Sequence, residues 1–297
     1  MLKAYYFDDH KVLFRSIDYS SISSALWISS PACTCDWDVP WYYAFGNMNY
    51  TFIQMLGSGN DLICMAINRL EDICIWNPST GEYRITPLPS SDFLTGEPQR
   101  NLGHIFNYDC IADDYKLARI AEKRSSYGFS SKVNSGYYQV DIYTLGSKSW
   151  RLVGTFPSIS HYMFLYEKKL SVIFMNGALH WLGVLKIKGV TFRVIVSLDV
   201  RSGGFVEFFY PKKVQELIKN TYGVRECTVG ELEECLCLGV YHKLINHIDV
   251  WFVQEYGVRE SWTKRYSFST TNVSVDSRWK LLWSFTAGEL LMDTGFD

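Results

Sequence analysis

The residues able to carry chemistry are six histidines, eight cysteines and a few adjacent acids, scattered along the chain. Asp113-Asp114 in the run ADDYK offers paired carboxylates, which act as acid and base when their surroundings push their pKa values apart. The same pair between two strands is ordinary turn chemistry, and that reading is favoured. His180 lies in the apolar run ALHWLG, where a hydrogen-bonded core or edge histidine is expected rather than a base. His242 and His247 flank a turn and lack ligand spacing. Cys33 with Cys35, and Cys235 with Cys237, are C-x-C pairs, whereas zinc knuckles need C-x-x-C or Cys/His pairs. Two strand positions apart, both sulfurs face one side and serve as small apolar groups. Gly57-Ser58-Gly59 is not a nucleophile elbow, which needs G-x-S-x-G between strand and helix. No catalytic, cofactor or metal residue is therefore assigned.

The elements that would position such residues are strands. The segment IDVWFVQEYGVRESWTKRY, Ile248 to Tyr266, reads as strand, turn and strand, with Trp251 and Trp262 near its inner ends. Simpler copies are ICIWNPSTGEYR with Trp76 and Tyr83, VDIYTLGSKSWR with Tyr143 and Trp150, and VIVSLDVRSGGF with Leu198 and Phe205. The marked pairs are expected to be core anchors. Ahead of such pairs comes a Gly or acidic turn and an apolar strand: GNDLICMA, NGALHWLGV, EECLCLGVY and AGELLMD. Each unit then has about four strands, as in a propeller blade, and the period is in the propeller range. Runs such as Phe192 to Leu198 are apolar at nearly every position, as strands buried on both faces must be. One short amphipathic helix is expected near Lys213 to Lys219.

Composition fits this. The chain has 297 residues, 47% apolar, 20% charged and 16% aromatic, and a net charge of −2. Its cations form no block, so the footprint of a nucleic-acid binder is missing. The uncharged stretch Val39 to Asn60 contains Pro40 and several Asn and Gly residues and reads as strand and loop, not as a membrane span. Met1-Leu2-Lys3 does not open a secretory signal, so reduced thiols in the cytosol or nucleus are expected.

Six stretches resemble one family: Tyr5 to Asp18, Ile75 to Pro89, Phe106 to Ile120, Val140 to Arg151, Met175 to Gly183 and, most specifically, VWFVQEYGVRESWTK at Val250 to Lys264. They are similar to the F-box-associated region of plant F-box proteins, the F-box/kelch-repeat group and S-locus F-box proteins of pollen included. The resemblance implies an all-β, kelch-like propeller of F-box-associated type, a single domain over residues 1–297 that is incomplete at its N-terminal blade. No stretch before Tyr5 reads as the helical F-box. The implied role is target recognition for an SCF-type ubiquitin ligase, with no enzymatic activity, no cofactor, and a Skp-type adaptor and cullin as partners only if an F-box is supplied. Partners from the nucleic-acid or membrane classes are not expected. A carbohydrate-binding or carbohydrate-active propeller, or a truncated fragment without a ligase role, is the alternative. Aromatics outside the repeats, Trp37, Trp41, Tyr42, Tyr43, Tyr127 and Phe129, are the expected partner contacts, because aromatics are enriched at binding hot spots.

Overall fold

The computed structural model describes residues 13–17, 34–38, 53–67, 72–89, 99–124, 136–157, 163–164, 172–188, 190–220, 226–270, 275, 279–284 and 290–293. Contacts divide the chain into two compact units, Met1–Met55 with Asn60–Thr86, and Leu56–Gly59 with Pro87–Asp297.

In the first unit β1 (Leu13–Ile17) pairs antiparallel with β2 (Thr34–Asp38). The strand β3 (Ile53–Gly59) ends in the second unit. A further antiparallel meander of the first unit joins β4 (Leu62–Ile67), β5 (Asp72–Trp76) and β6 (Tyr83–Thr86). Ile63 to Ile67 and Ile73 to Trp76 are buried at every position. Cys64 and Cys74 belong to that apolar set; burial pushes both thiols up, Cys74 to about 12.

The second unit is a stack of antiparallel sheets. The first contains β7 (Gln99–Asp109), β8 (Asp114–Arg124), β9 (Gly136–Thr144) and β10 (Ser149–Pro157). Gly57 of β3 lies beside Phe106 of β7 so closely that a Cβ there would stand 2.3 Å from the Phe106 carbonyl oxygen. The second contains β11 (Met163–Phe164), β12 (Val172–Met175), β13 (Ala178–Ile187), β14 (Val190–Asp199) and β15 (Phe205–Phe209). The helix α1 (Lys212–Asn220) follows, matching the expected helix. The third contains β16 (Glu226–Leu232), β17 (Cys235–His242), β18 (His247–Val253) and β19 (Trp262–Ser269). Last comes the pair β20 (Lys280–Ser284) and β21 (Leu290–Asp293).

Three cores fill the gaps between these sheets. Ile120, Val140 and Phe156 meet Leu179, Trp181 and Val196. Met175, Ile195 and Phe208 meet Val229, Leu238 and Trp262. Cys237, Val250 and Phe252 meet Trp279 and Leu281, with Cys235 partly buried beside them. The two middle sheets thus bury both faces, which is why their strands do not alternate. The reading of Cys235 and Cys237 as small apolar groups holds; burial raises the Cys237 thiol. Cys33 and the side chain of Cys35 lie outside the described residues.

Two of the three repeated turns share one hydrogen-bonding scheme. Asn77 Oδ1 accepts from the Ser79 and Thr80 amides, and the Gly81 amide donates to the Asn77 carbonyl. Asp199 Oδ1 accepts from the Arg201 and Ser202 amides, and the Gly203 amide donates to the Asp199 carbonyl. Gly81 (φ 75°) and Gly203 (φ 71°) occupy the left-handed position that ends each turn. Trp76 then faces Tyr83, Tyr143 faces Trp150 and Leu198 faces Phe205, the three expected pairs. Trp76, Tyr143 and Leu198 are fully buried, but Tyr83 is exposed, so it is not the core anchor that was expected. The fourth pair also needs correcting. Trp262 faces Val253, and Trp251 faces Lys264. Tyr266 faces Val250, so Arg265 is an extra residue in β19 that reverses its alternation.

Two other hairpin tips are two-residue turns with both central residues left-handed: Asn176-Gly177 at 52° and 71°, and Glu233-Glu234 at 53° and 57°. Glu233 binds Arg265 and Tyr266, whereas Glu234 is exposed. Glu234→Gly is therefore expected to stabilise the protein by about 0.5–1 kcal/mol, since only Gly takes this conformation without steric cost. A urea midpoint that falls in this variant would contradict that account.

Candidate functional site

Two clusters of polar side chains sit at opposite ends of the second and third sheets of the large unit. In the first, His180 and Ser197 are buried and Tyr256 is partly exposed. His180 on β13 lies directly opposite Ser197 on β14, with Nε2 and Oγ 3.3 Å apart. Tyr256, from the loop between β18 and β19, places its hydroxyl 2.9 Å from Ser197 Oγ and hydrogen-bonds His180 Nε2. Its ring packs edge-on against Phe208 at 4.4 Å. Burial lowers the His180 pKa to about 4, with a backbone hydrogen bond at Ala178 acting the other way. The imidazole is therefore neutral near pH 7, and no carboxylate is among its hydrogen-bond partners here. A catalytic dyad needs a base poised near the working pH and oriented by a third group. This triangle is instead a polar latch tying the β18–β19 loop to the neighbouring sheet, and His180 is the hydrogen-bonded core histidine that its apolar run implied.

The second cluster is half-exposed. The β17–β18 hairpin turns through a short 3-10 segment, Lys243–Ile245, and ends on Asn246 at φ 48°. Asn tolerates that conformation. Its Oδ1 accepts from the Tyr241 hydroxyl at 3.1 Å and its carbonyl accepts from the Thr270 amide at 2.7 Å. The turn is thus fixed at its base, yet it presents Leu244 and Ile245 at 76% and 68% exposure. Beneath it His242 and His247 face each other across the strands, as residues flanking a turn do. Asp249 gathers them: His242 Nε2 at 3.1 Å, Lys264 Nζ at 3.1 Å, Ser267 Oγ at 2.7 Å and His247 Nε2 at 3.5 Å. Burial pushes the Asp249 carboxyl up, but hydrogen bonds from Ser267 and Lys264 and the nearby Lys264 and His242 charges hold it below the ordinary carboxylate value. Among the described residues no group of three His, Cys, Asp or Glu side chains has the arrangement to hold a metal.

The remaining expectations resolve unevenly. Asp114 accepts hydrogen bonds from the Tyr115 and Gly146 amides, while Asp113 sits at φ 52° and accepts from the Tyr108 hydroxyl. Asp113 is a turn residue and Asp114 opens β8, so the pair belongs to the β7–β8 hairpin turn region, as favoured. Trp37 is in β2 opposite Phe14, with its side chain outside the description. Trp41, Tyr42, Tyr43, Tyr127 and Phe129 lie outside the described residues. Sequence reading did not single out Leu244, Ile245, Ser197 or Tyr256. A signal for the first two was available: two large aliphatics in a turn between two histidines, where polar residues are the rule.

Antiparallel sheets stacked face to face, buried on both sides and joined by short hairpins, define a β-propeller-type scaffold. The chain belongs to the F-box associated beta propeller domain family, whose profile matches residues 15–292. It is similar to F-box protein CPR1 of Arabidopsis thaliana, 29% identical over 226 residues that cover 72% of this chain and 52% of the relative. It is also similar to an F-box/kelch-repeat protein of the same plant, 28% identical over 216 residues, 73% of this chain and 53% of the relative. The chain spans about half the length of the curated relatives it matches. Among solved structures, the major Malassezia sympodialis allergen Mala s 1 aligns over 78% of this chain and 82% of its own, with 8% identity and a TM-score of 0.34. No helix among the described residues is long and apolar enough to cross a membrane.

Proposed function

We propose that this chain is the target-recognition module of an SCF-type ubiquitin ligase and that it binds a protein substrate through hairpin ends rather than transforming it. The observation that carries the reading is the family membership, joined to a fold whose interior is filled and whose most exposed large aliphatics, Leu244 and Ile245, sit on a turn. Loops on a rigid scaffold are where recognition resides. The histidines and acids that would serve catalysis are instead occupied in the latch and in turns. Residues 1–297 are read as one domain, since the family match runs through both units. A Skp-type adaptor and cullin would be engaged by an F-box, the module that the names of the relatives announce. Trp37, Trp41, Tyr42, Tyr43, Tyr127 and Phe129 are proposed as further partner contacts, in the cytosol or nucleus.

The test is a pull-down with purified adaptor, using residues 1–297 alone and the same residues behind an F-box from a relative. The fusion is expected to bind adaptor and cullin and to promote ubiquitination of proteins captured by residues 1–297, while those residues alone capture the proteins but not the adaptor. Tight adaptor binding by residues 1–297 alone, or a fusion that captures no protein, would overturn the reading.

A further inference from the structure

The latch fixes which ends of the two middle sheets coincide. Tyr256, in the β18–β19 loop, reaches His180 and Ser197, which lie two residues from Ala178 and Asp199 at the starting end of β13 and the finishing end of β14. The β18–β19 loop therefore shares its end with the Asn176-Gly177 turn. The β13–β14 and β17–β18 tips therefore both lie at the other end, on sheets packed through a common core. Both tips break the usual pattern of polar turns. The first exposes Ile187 and Val190 around Lys188, and the second exposes Leu244 and Ile245 beside Lys243. At the base of the second tip, Lys264 lies against Asp249, so the carboxylate there is already neutralised.

From this juxtaposition we infer that the β13–β14 and β17–β18 tips form a docking surface for a protein segment in which large apolar side chains alternate with carboxylates. The inference rests on the target-recognition reading and names the surface and the chemistry of the target. Four exposed aliphatic side chains supply the apolar contact, and the exposed charges of the two turns, Lys188 and Lys243, are both cations. A basic segment would be repelled; an acidic one gains charge complementarity, which sets specificity and association rate. The turns are pre-shaped, by Asn246 in one and by the left-handed Lys188 (φ 47°) in the other, so little ordering is needed on binding. Exposed Ser267, held by the mostly buried Asp249 beside His242, adds a directional partner that suits a peptide backbone better than a lipid headgroup.

The probes are three fluorescein-labelled synthetic peptide pools of equal length: Leu and Phe among Asp and Glu, Leu and Phe among Lys and Arg, and Ser among Asp and Glu. Binding by anisotropy is expected for the first pool alone. Leu244→Asp with Ile245→Asp should weaken it at least tenfold, and Lys188→Glu with Lys243→Glu should weaken it as much while raising affinity for the basic pool. Both double variants change exposed side chains and should keep the parent melting temperature. Equal binding of all pools, binding unchanged in both variants, a preference for anionic vesicles, or a dimer that the tip variants dissolve would each overturn the inference. Should the F-box fusion still capture and ubiquitinate proteins when both tips are mutated, the surface is wrong and target recognition stands. A parent chain that binds neither peptide nor protein sinks both.

Discussion

Replacing Trp262 with alanine is expected to destabilise the protein by about 3–5 kcal/mol, the range for large aromatics truncated in a core. Trp262 opens β19 opposite Val253 and is nearly buried between the second and third sheets of the large unit. Its indole Nε1 donates to the Phe209 carbonyl of the neighbouring sheet at 3.0 Å. Truncation opens a cavity and strands that carbonyl, so packing and hydrogen bonding are lost together. Domains of this kind have about 5–15 kcal/mol in total, so the variant should stand at the margin of folding. Urea unfolding measures it. Trp251→Ala is the control, because Trp251 is only partly buried, opposite the exposed Lys264. An unchanged midpoint for Trp262→Ala, or a larger loss for Trp251→Ala, would reverse the assignment of the inter-sheet anchor.

That contrast marks where the sequence stops being legible. Turn chemistry and constant spacing located three strand pairs to the residue; two of their turns are closed locally by an Asx side chain and a left-handed glycine, and the third has a left-handed Lys148. The fourth pair carries a longer loop and a bulge at Arg265. A bulge leaves no mark in residue type; it shows only in which partner each residue faces, so residue type marks Trp251 and Trp262 alike and does not show that Trp251 is only partly buried. The large burial of aliphatic runs was readable for the same local reason, since strands apolar at every position have no solvent face.

The polar sites were less legible because they join residues distant in sequence. His180 was recognisable as a core histidine from its apolar neighbours. Its partner Tyr256 lies 76 positions away and resembles any loop aromatic until the sheets are stacked. Asp249 likewise collects His242, His247, Lys264 and Ser267 from three strands. Spacing along one strand cannot show such a set. The expected aromatic contacts rest on residue type and on position outside the repeats, whereas Leu244 and Ile245 stand out for being exposed on a rigid turn.

The latch also gives the protein an acid-sensitive stability. His180 is depressed in the folded state from 6.5 to about 4, because burial disfavours the charged ring. Its contribution is fully present above the unfolded value, near pH 6.5, and is lost as pH falls toward 4, where the unfolded chain binds a proton that the folded one refuses. The full penalty corresponds to about 3 kcal/mol, and roughly 2 kcal/mol of it should be spent between pH 7 and pH 5. Asp199 and Asp249, both held below the ordinary carboxylate value, lose their contributions only at lower pH. His180→Gln keeps a neutral acceptor for the Tyr256 hydroxyl but cannot titrate. Urea midpoints at pH 7 and pH 5 for parent and variant isolate the histidine. The parent should lose about 2 kcal/mol more than the variant over that interval. Equal losses in the two proteins would mean that His180 is already accessible to protons in the folded state, and that Tyr256 does not hold the β18–β19 loop over it.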